Sequence, residues 1–168
     1  MRNVGSLTVT TPTDREIALT RVFDAPRRLV FEALTKPELL KRWLLGPDGW
    51  SLDVCEIDLK VGGTYRYVWR RESTDTEMGM SGVYREIAAP ERIVATEVFD
   101  EPWYAGEAVG TTVLVERDGK TTLTNTMLYA SKEARDGVLQ SGMESGVAAS
   151  YDRLAEILAS TLATQGSR

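Results

Sequence analysis

Tyr65, Tyr67 and Trp69 alternate with Arg66, Val68 and Arg70, which puts three large rings with polar tips on one side of a single strand. Such rings combine wide apolar contact with a hydroxyl or indole N–H that needs a partner, which is the chemistry of noncovalent recognition. Lining of a ligand pocket and ordinary core packing both fit them, and the pattern leaves the two readings open. Tyr84, in line with Met80, Gly82 and Glu86, adds a further ring to the same group. Met80, Met127 and Met143 carry flexible thioether chains that suit the wall of a pocket or the filling of an irregular core. Trp103 and Tyr104 stand in the stretch 100–110, which has proline, two glycines and no period. Large apolar groups in such a segment are placed to cover something, so a lid over a pocket mouth is expected, with packing against a helix and a partner surface as the competing readings. Trp43 and Trp50 bracket a Gly-Pro turn, as another part of the rim or as anchors.

Bond-making chemistry has few candidates. The chain contains no histidine, which removes Ser-His-Asp and Cys-His nucleophile systems, histidine zinc sites and the commonest neutral-pH base. Glu97 and Asn125 are polar residues inside strand patterns, and Glu86 lies in line with Tyr84. A carboxylate facing inward would have its pKa raised by burial and could accept a proton; an outward carboxylate paired with arginine is the simpler account. No metal-ligand cluster, phosphate loop or nucleophile elbow is present, so no catalytic residue, metal or cofactor is expected. Cys55 is the only cysteine and reads as a buried strand residue.

At 168 residues the chain fits one domain, and its 42% apolar and 27% charged composition is that of an ordinary globular protein. The net charge of −5 opposes phosphate neutralisation, which argues against nucleic acid and anionic membrane surfaces as partners. Arg27, Arg28, Lys41 and Arg42 form a local basic group best explained as a solvated helix face. With no long apolar run and no export signal, membrane insertion is not expected and a cytoplasmic location is.

The elements that must position these residues follow from periodicity. Residues 15–23 alternate as a strand, and Asp24-Ala-Pro26 opens a helix to about Thr35. Pro37 starts a second short helix with Leu39, Leu40 and Trp43 on its apolar face, stopped by Gly46-Pro47-Asp48-Gly49. Strand patterns return at 52–57, 64–70, 79–87, 92–99, 111–116 and 121–129, with Pro90 and Asp118-Gly119 marking two hairpins. The segment 131–163 contains no proline and repeats Leu139, Met143, Val147, Leu154, Ile157 and Leu158 on one face, with Asp152, Arg153 and Glu156 away from it. Ser131 caps this long helix, and Gly142 and Gly146 permit a kink or a close approach. An α+β domain over 14–162 follows, between a flexible lead at 1–13 and a tail at 163–168. An antiparallel sheet curled around a long apolar-faced helix can enclose a space large enough for a small molecule.

In that frame Phe23-Asp-Ala-Pro26, Val30-Phe31, Ala33, Thr35, Pro37, Leu40, Trp43 and Pro47 form an opening signature. It continues through Gly62-Gly63-x-Tyr65, Gly82-x-Tyr84, Pro90-Glu91-Arg92 and Gly142-Met143-Glu144-x-Gly146 with Leu154. Together these resemble the family related to the activator of the heat-shock-ninety ATPase, over about Asp14 to Leu158. The resemblance implies the SRPBCC or START-like, birch-pollen-allergen-like superfamily and its helix-grip fold. In that fold a curved antiparallel sheet of about seven strands wraps a long C-terminal helix and encloses an apolar cavity, with two short helices after the first strand. It also implies cavity binding of a small apolar or amphipathic molecule, for carriage, sequestration or sensing. Polyketide cyclase, dehydratase or hydrolase activity in the same cavity and a co-chaperone-like interaction module of the stress response are the alternatives. Tyr65, Tyr67, Trp69, Met80, Tyr84, Trp103, Met127, Met143 and Val147 are the expected cavity-lining residues. Val147 stands where many relatives carry an aromatic residue, which enlarges the space beside Gly146 or is repacked. Monomer and homodimer both remain open.

Overall fold

Alternating strand sequences and proline-started helices are laid out along the chain in the expected order, as the computed structural model of residues 6–166 shows. The strands are β1 (Thr8–Thr10), β2 (Glu16–Phe23), β3 (Trp50–Ile57), β4 (Thr64–Arg71), β5 (Thr76–Ala88), β6 (Arg92–Phe99), β7 (Ala108–Arg117) and β8 (Lys120–Leu128). The helices are α1 (Arg27–Thr35) and α2 (Pro37–Trp43) after β2, then α3 (Lys132–Gln140) and α4 (Met143–Gly166) at the end. All strands belong to one eight-stranded antiparallel sheet in the order β1-β2-β8-β7-β6-β5-β4-β3. The α+β helix-grip architecture is therefore present.

Local chemistry explains the turns. Asp118 and Gly119 have φ of 53° and 76°, the positive pair a two-residue hairpin demands, and Arg117 faces Lys120 across it. The β5–β6 hairpin closes through a cis Ala89–Pro90 bond, with Ala88 opposite Arg92.

Several expectations need correction. The lead at 1–13 contains β1, whose Thr8, Val9 and Thr10 pair with Thr20, Leu19 and Ala18; three residues are too short to display a period, although their β-branched side chains favour a strand. The remainder of that lead before residue 6 lies outside the described residues. The single helix at 131–163 is two helices. Ser131 caps α3 as expected, its hydroxyl accepting from the Ala134 amide at 3.0 Å, but Gly142 adopts φ of 80°, a left-handed turn that ends the first helix before α4 begins. That break resets the helical phase, so Val138 is buried whereas Leu139, expected on the apolar face, is exposed. α4 then continues to Gly166, taking up most of the stretch read as a tail, of which residues 167 and 168 lie outside the described residues. β7 also begins at Ala108, earlier than expected, because the fully buried Ala108 pairs with Glu97.

The interior divides into two clusters. The larger gathers Phe23, Leu29, Val30, Leu40, Trp43 and Leu114 with Tyr151, Leu154, Ile157 and Leu158 of α4. The smaller gathers Ile17, Leu19, Tyr104, Ala108, Tyr129, Ala134 and Val138, with Met127 and Met143 packed on it. Phe99 and Val147 touch both.

Candidate functional site

A cavity of about 610 Å³ lies between the inner face of the sheet and the N-terminal half of α4. The sheet supplies it with residues in strict alternation: Tyr65, Tyr67 and Trp69 from β4, Ile93, Ala95, Glu97 and Phe99 from β6, and Leu123, Asn125 and Met127 from β8. From α4 come Met143, Gly146, Val147, Ser150 and Tyr151, while Leu154 one turn later is fully buried in the larger cluster. Pro47, Met78, Trp103, Ser141 and Gly142 border the space and are themselves exposed, so they mark its opening.

Of the residues expected to line a pocket, Tyr65, Tyr67, Trp69 and Tyr84 are brought together on β4 and β5, and Trp103, Met127, Met143 and Val147 border the same space. Met80 does not. It is buried between its strand partners Tyr67 and Phe99 as core filler, and Met78, one alternation earlier, reaches the opening instead. Trp103 packs edge-on to Phe99 at 5.7 Å and to Tyr104 at 5.2 Å, so the connection 100–107 is folded around its own aromatic residues.

Several rings are fixed by their polar tips. The Tyr65 hydroxyl donates to the Thr96 carbonyl at 2.5 Å, and the Tyr65 ring lies across Gly82, where a Cβ would collide with it. Trp69 donates its indole N–H to the Leu44 carbonyl at 2.8 Å, and Trp43 to the Ala33 carbonyl at 2.9 Å. The opening is braced across to α4, since the Gly46 amide donates to Ser150 Oγ at 3.0 Å and Arg153 donates to the Gly46 carbonyl at 2.8 Å. Gly146 lets α4 approach this loop, because a Cβ there would touch the Pro47 ring at 3.3 Å. By contrast the hydroxyls of Tyr67, Tyr84 and Tyr129 have no hydrogen-bond partner among the described residues, and none is sealed from the cavity. Burial holds all three phenols well above the ordinary tyrosine range, so they remain neutral donors.

Glu97 is the departure from the simpler expectation. It faces inward, and what accessibility it retains is toward the cavity. Burial raises its pKa, opposed by the Tyr104 hydroxyl, which donates to Oε2 at 2.7 Å. The signal was available, since Glu97 is in phase with Ile93, Ala95 and Phe99, but Val94 and Val98 made the opposite face of the strand equally apolar. Asn125 also faces the cavity and donates to Thr112 Oγ1 at 2.9 Å. Glu86 takes the outward course: a bulge after Tyr84 breaks its alignment with that ring, and Arg92 donates to it at 3.0 Å. Cys55 is buried, and desolvation pushes its thiol up to about 11, so it stays protonated at neutral pH. No group of three His, Cys, Asp or Glu side chains is placed to hold a metal ion among the described residues, and no described helix is long and apolar enough to cross a membrane.

The family described as activator of Hsp90 ATPase homolog 1-like protein matches residues 24–159, from the end of β2 well into α4. The chain belongs to this family. A crystal structure of a protein from Rhodobacter sphaeroides is 30% identical, with a TM-score of 0.86 over 92% of this chain and 98% of that one. The solution structure of an AHSA1-like protein from Aeromonas hydrophila is 17% identical, with a TM-score of 0.69 over 84% and 93% of the two chains. An HSP90 activator from Plasmodium falciparum is 23% identical, with a TM-score of 0.56 over 75% and 83%, a likeness of fold alone. No curated protein matches the chain. In the present family member, the signature residues Pro26, Trp43 and Gly82 serve the helix start, the anchoring of α2 on α1 and the packing of Tyr65.

Proposed function

We propose that this protein holds a small apolar or amphipathic molecule in the cavity between its sheet and α4, for carriage, sequestration or sensing. The observation that carries this reading is the hollow itself, about 610 Å³ and walled chiefly by aliphatic and aromatic side chains, within the range of small-molecule sites. Displacing water from such walls contributes about 25 cal/mol for each Å² of apolar surface covered. The open hydroxyls of Tyr67, Tyr84 and Tyr129 supply orientation. Native mass spectrometry of protein purified from its own host, followed by extraction, identifies the resident compound. In parallel, the neutral dye Nile red is expected to bind with a blue-shifted emission. Met143→Lys, which places a charge against the cavity, abolishes that signal, and Leu139→Lys, at an exposed position on α3, preserves it. Unchanged Nile red emission with the unaltered protein overturns the reading.

A second reading has one observation in its favour. Glu97 is an inward carboxyl with a raised pKa, as acid–base turnover of a bound substrate requires. Turnover of a polyketide-like compound lost in Glu97→Gln would favour it. A chaperone-interaction role is supported by the family description and by the fold likeness to the Plasmodium activator. It places activity on the outer surface, so chaperone capture would survive Met143→Lys.

A further inference from the structure

One end of the cavity is built differently from the rest. There Glu97 offers a carboxylate whose Oε2 is held by Tyr104 at 2.7 Å, while Oε1 has no hydrogen-bond partner among the described residues. Asn125, two strands away and also facing the space, spends its amide N–H on Thr112 and keeps its carbonyl oxygen free. Among the described residues no lysine or arginine lines the cavity, and Glu97 is its only carboxylate. Tyr65, Tyr104 and Tyr129 stand close enough to feel the charge of Glu97, with Tyr104 and Tyr129 edge to face at 5.3 Å. Phe99 and Trp103 continue the aromatic wall.

A carboxylate turned into an apolar cavity without a cation beside it is costly. An organic ammonium supplies that cation, with N–H groups for the open acceptors and a positive charge for the negative faces of the rings. The same surroundings repel a carboxylate or phosphate. From this juxtaposition of an uncompensated carboxylate, open acceptors and aromatic walls at one end of an apolar hollow, we infer that the ligand is an amphipathic amine. Its ammonium sits at Glu97 and its hydrocarbon body fills the space under α4. This rests on the container reading and narrows it to one chemical class.

Isothermal titration calorimetry with naphthylethylamine, naphthylethanol and naphthylacetate tests it, since the three share a body and differ in the charge of the end group. The amine is expected to bind the unaltered protein about tenfold tighter than the alcohol, with the acetate weakest. Glu97→Gln, which keeps shape and the contact with Tyr104, should weaken the amine about tenfold and leave the alcohol within about twofold. Equal affinities for amine and alcohol, or an amine preference that survives Glu97→Gln, overturns the amine assignment while Nile red binding keeps the container. Failure of all three probes and of Nile red removes both. The comparison among ligands uses the unaltered protein, so it stands even if the variant folds poorly.

Discussion

Leu154 and Met143 are side chains of similar size on the same helix, and the hollow requires them to behave differently when cut to alanine. Leu154 is fully buried among the side chains of the larger cluster. Its truncation loses the transfer free energy of the removed carbons and leaves a new void, together about 3–5 kcal/mol. Met143 borders the existing cavity and is only partly buried. Fully burying such a side chain contributes about 1.5–3 kcal/mol, and one flank of Met143 has no packed neighbour to lose, so its truncation should cost under about 1.5 kcal/mol. For a chain of this length each kcal/mol shifts Tm by about 2–4 °C, so Leu154→Ala should melt about 6–20 °C lower and Met143→Ala less than about 6 °C lower. Urea unfolding followed by far-ultraviolet circular dichroism and tryptophan fluorescence gives both values, with an unchanged denaturant slope as the check on comparability. Equal losses would mean that the N-terminal half of α4 lies packed on the sheet in solution, and the container argument would fail with it.

Three other perturbations address the same interior. Because burial raises the folded-state pKa of Glu97, its contribution favours the fold below the unfolded-state value and is lost as pH rises through the folded value. The groups facing it, Tyr65, Tyr104 and Tyr129, have pKa values raised far above neutrality and do not compete. Relative to the unaltered protein, Glu97→Gln should therefore gain stability from about pH 4.5 upward, measured as a difference in Tm across a pH series. Val147→Phe projects a ring into the hollow and should raise stability by about 1 kcal/mol while weakening Nile red; a loss of about 1–3 kcal/mol, the usual cost of overpacking, would show that no space was there. Cys55, with its thiol pushed up to about 11 and buried under the sheet, should resist a disulfide reagent at pH 8 until urea unfolds the chain; rapid labelling of the native protein would contradict its placement.

The alternation of Tyr65, Tyr67 and Trp69 was legible because a strand with polar residues between its rings declares its inner face. The inner face of β6 was not, since Ile93, Ala95 and Phe99 are matched by Val94 and Val98 on the other side, and only the pairing with β7 decides which way Glu97 points. Glu86 was misaligned for a related reason: a bulge adds a residue that no local pattern announces. The Glu97–Tyr104 contact comes from the path of the 100–107 connection, which has no period at all. Gly142 reads in the sequence as a place for a kink, but its positive φ makes it the end of a helix, which takes Leu139 out of phase with the apolar face.

The cavity has a cause along α4 that periodicity alone does not reveal. Between Met143 and Tyr151 its first turns present only Gly146, Val147 and Ser150 toward the cavity, and its later turns present Leu154, Ile157 and Leu158 to the larger cluster. A helix held at a fixed height over a sheet by large side chains at one end leaves a gap wherever the side chains at the other end are small. Tyr151 sets that height, with its ring 5.8 Å from Phe23 and 6.0 Å from Trp43. At the far end Val138 and Tyr104 belong to the smaller cluster, on which Met143 and Val147 of α4 also pack. The hollow is thus a consequence of the small side chains in the middle of one helix between two packed ends, and the acidic pole stands at the end where the aromatic connection joins the wall.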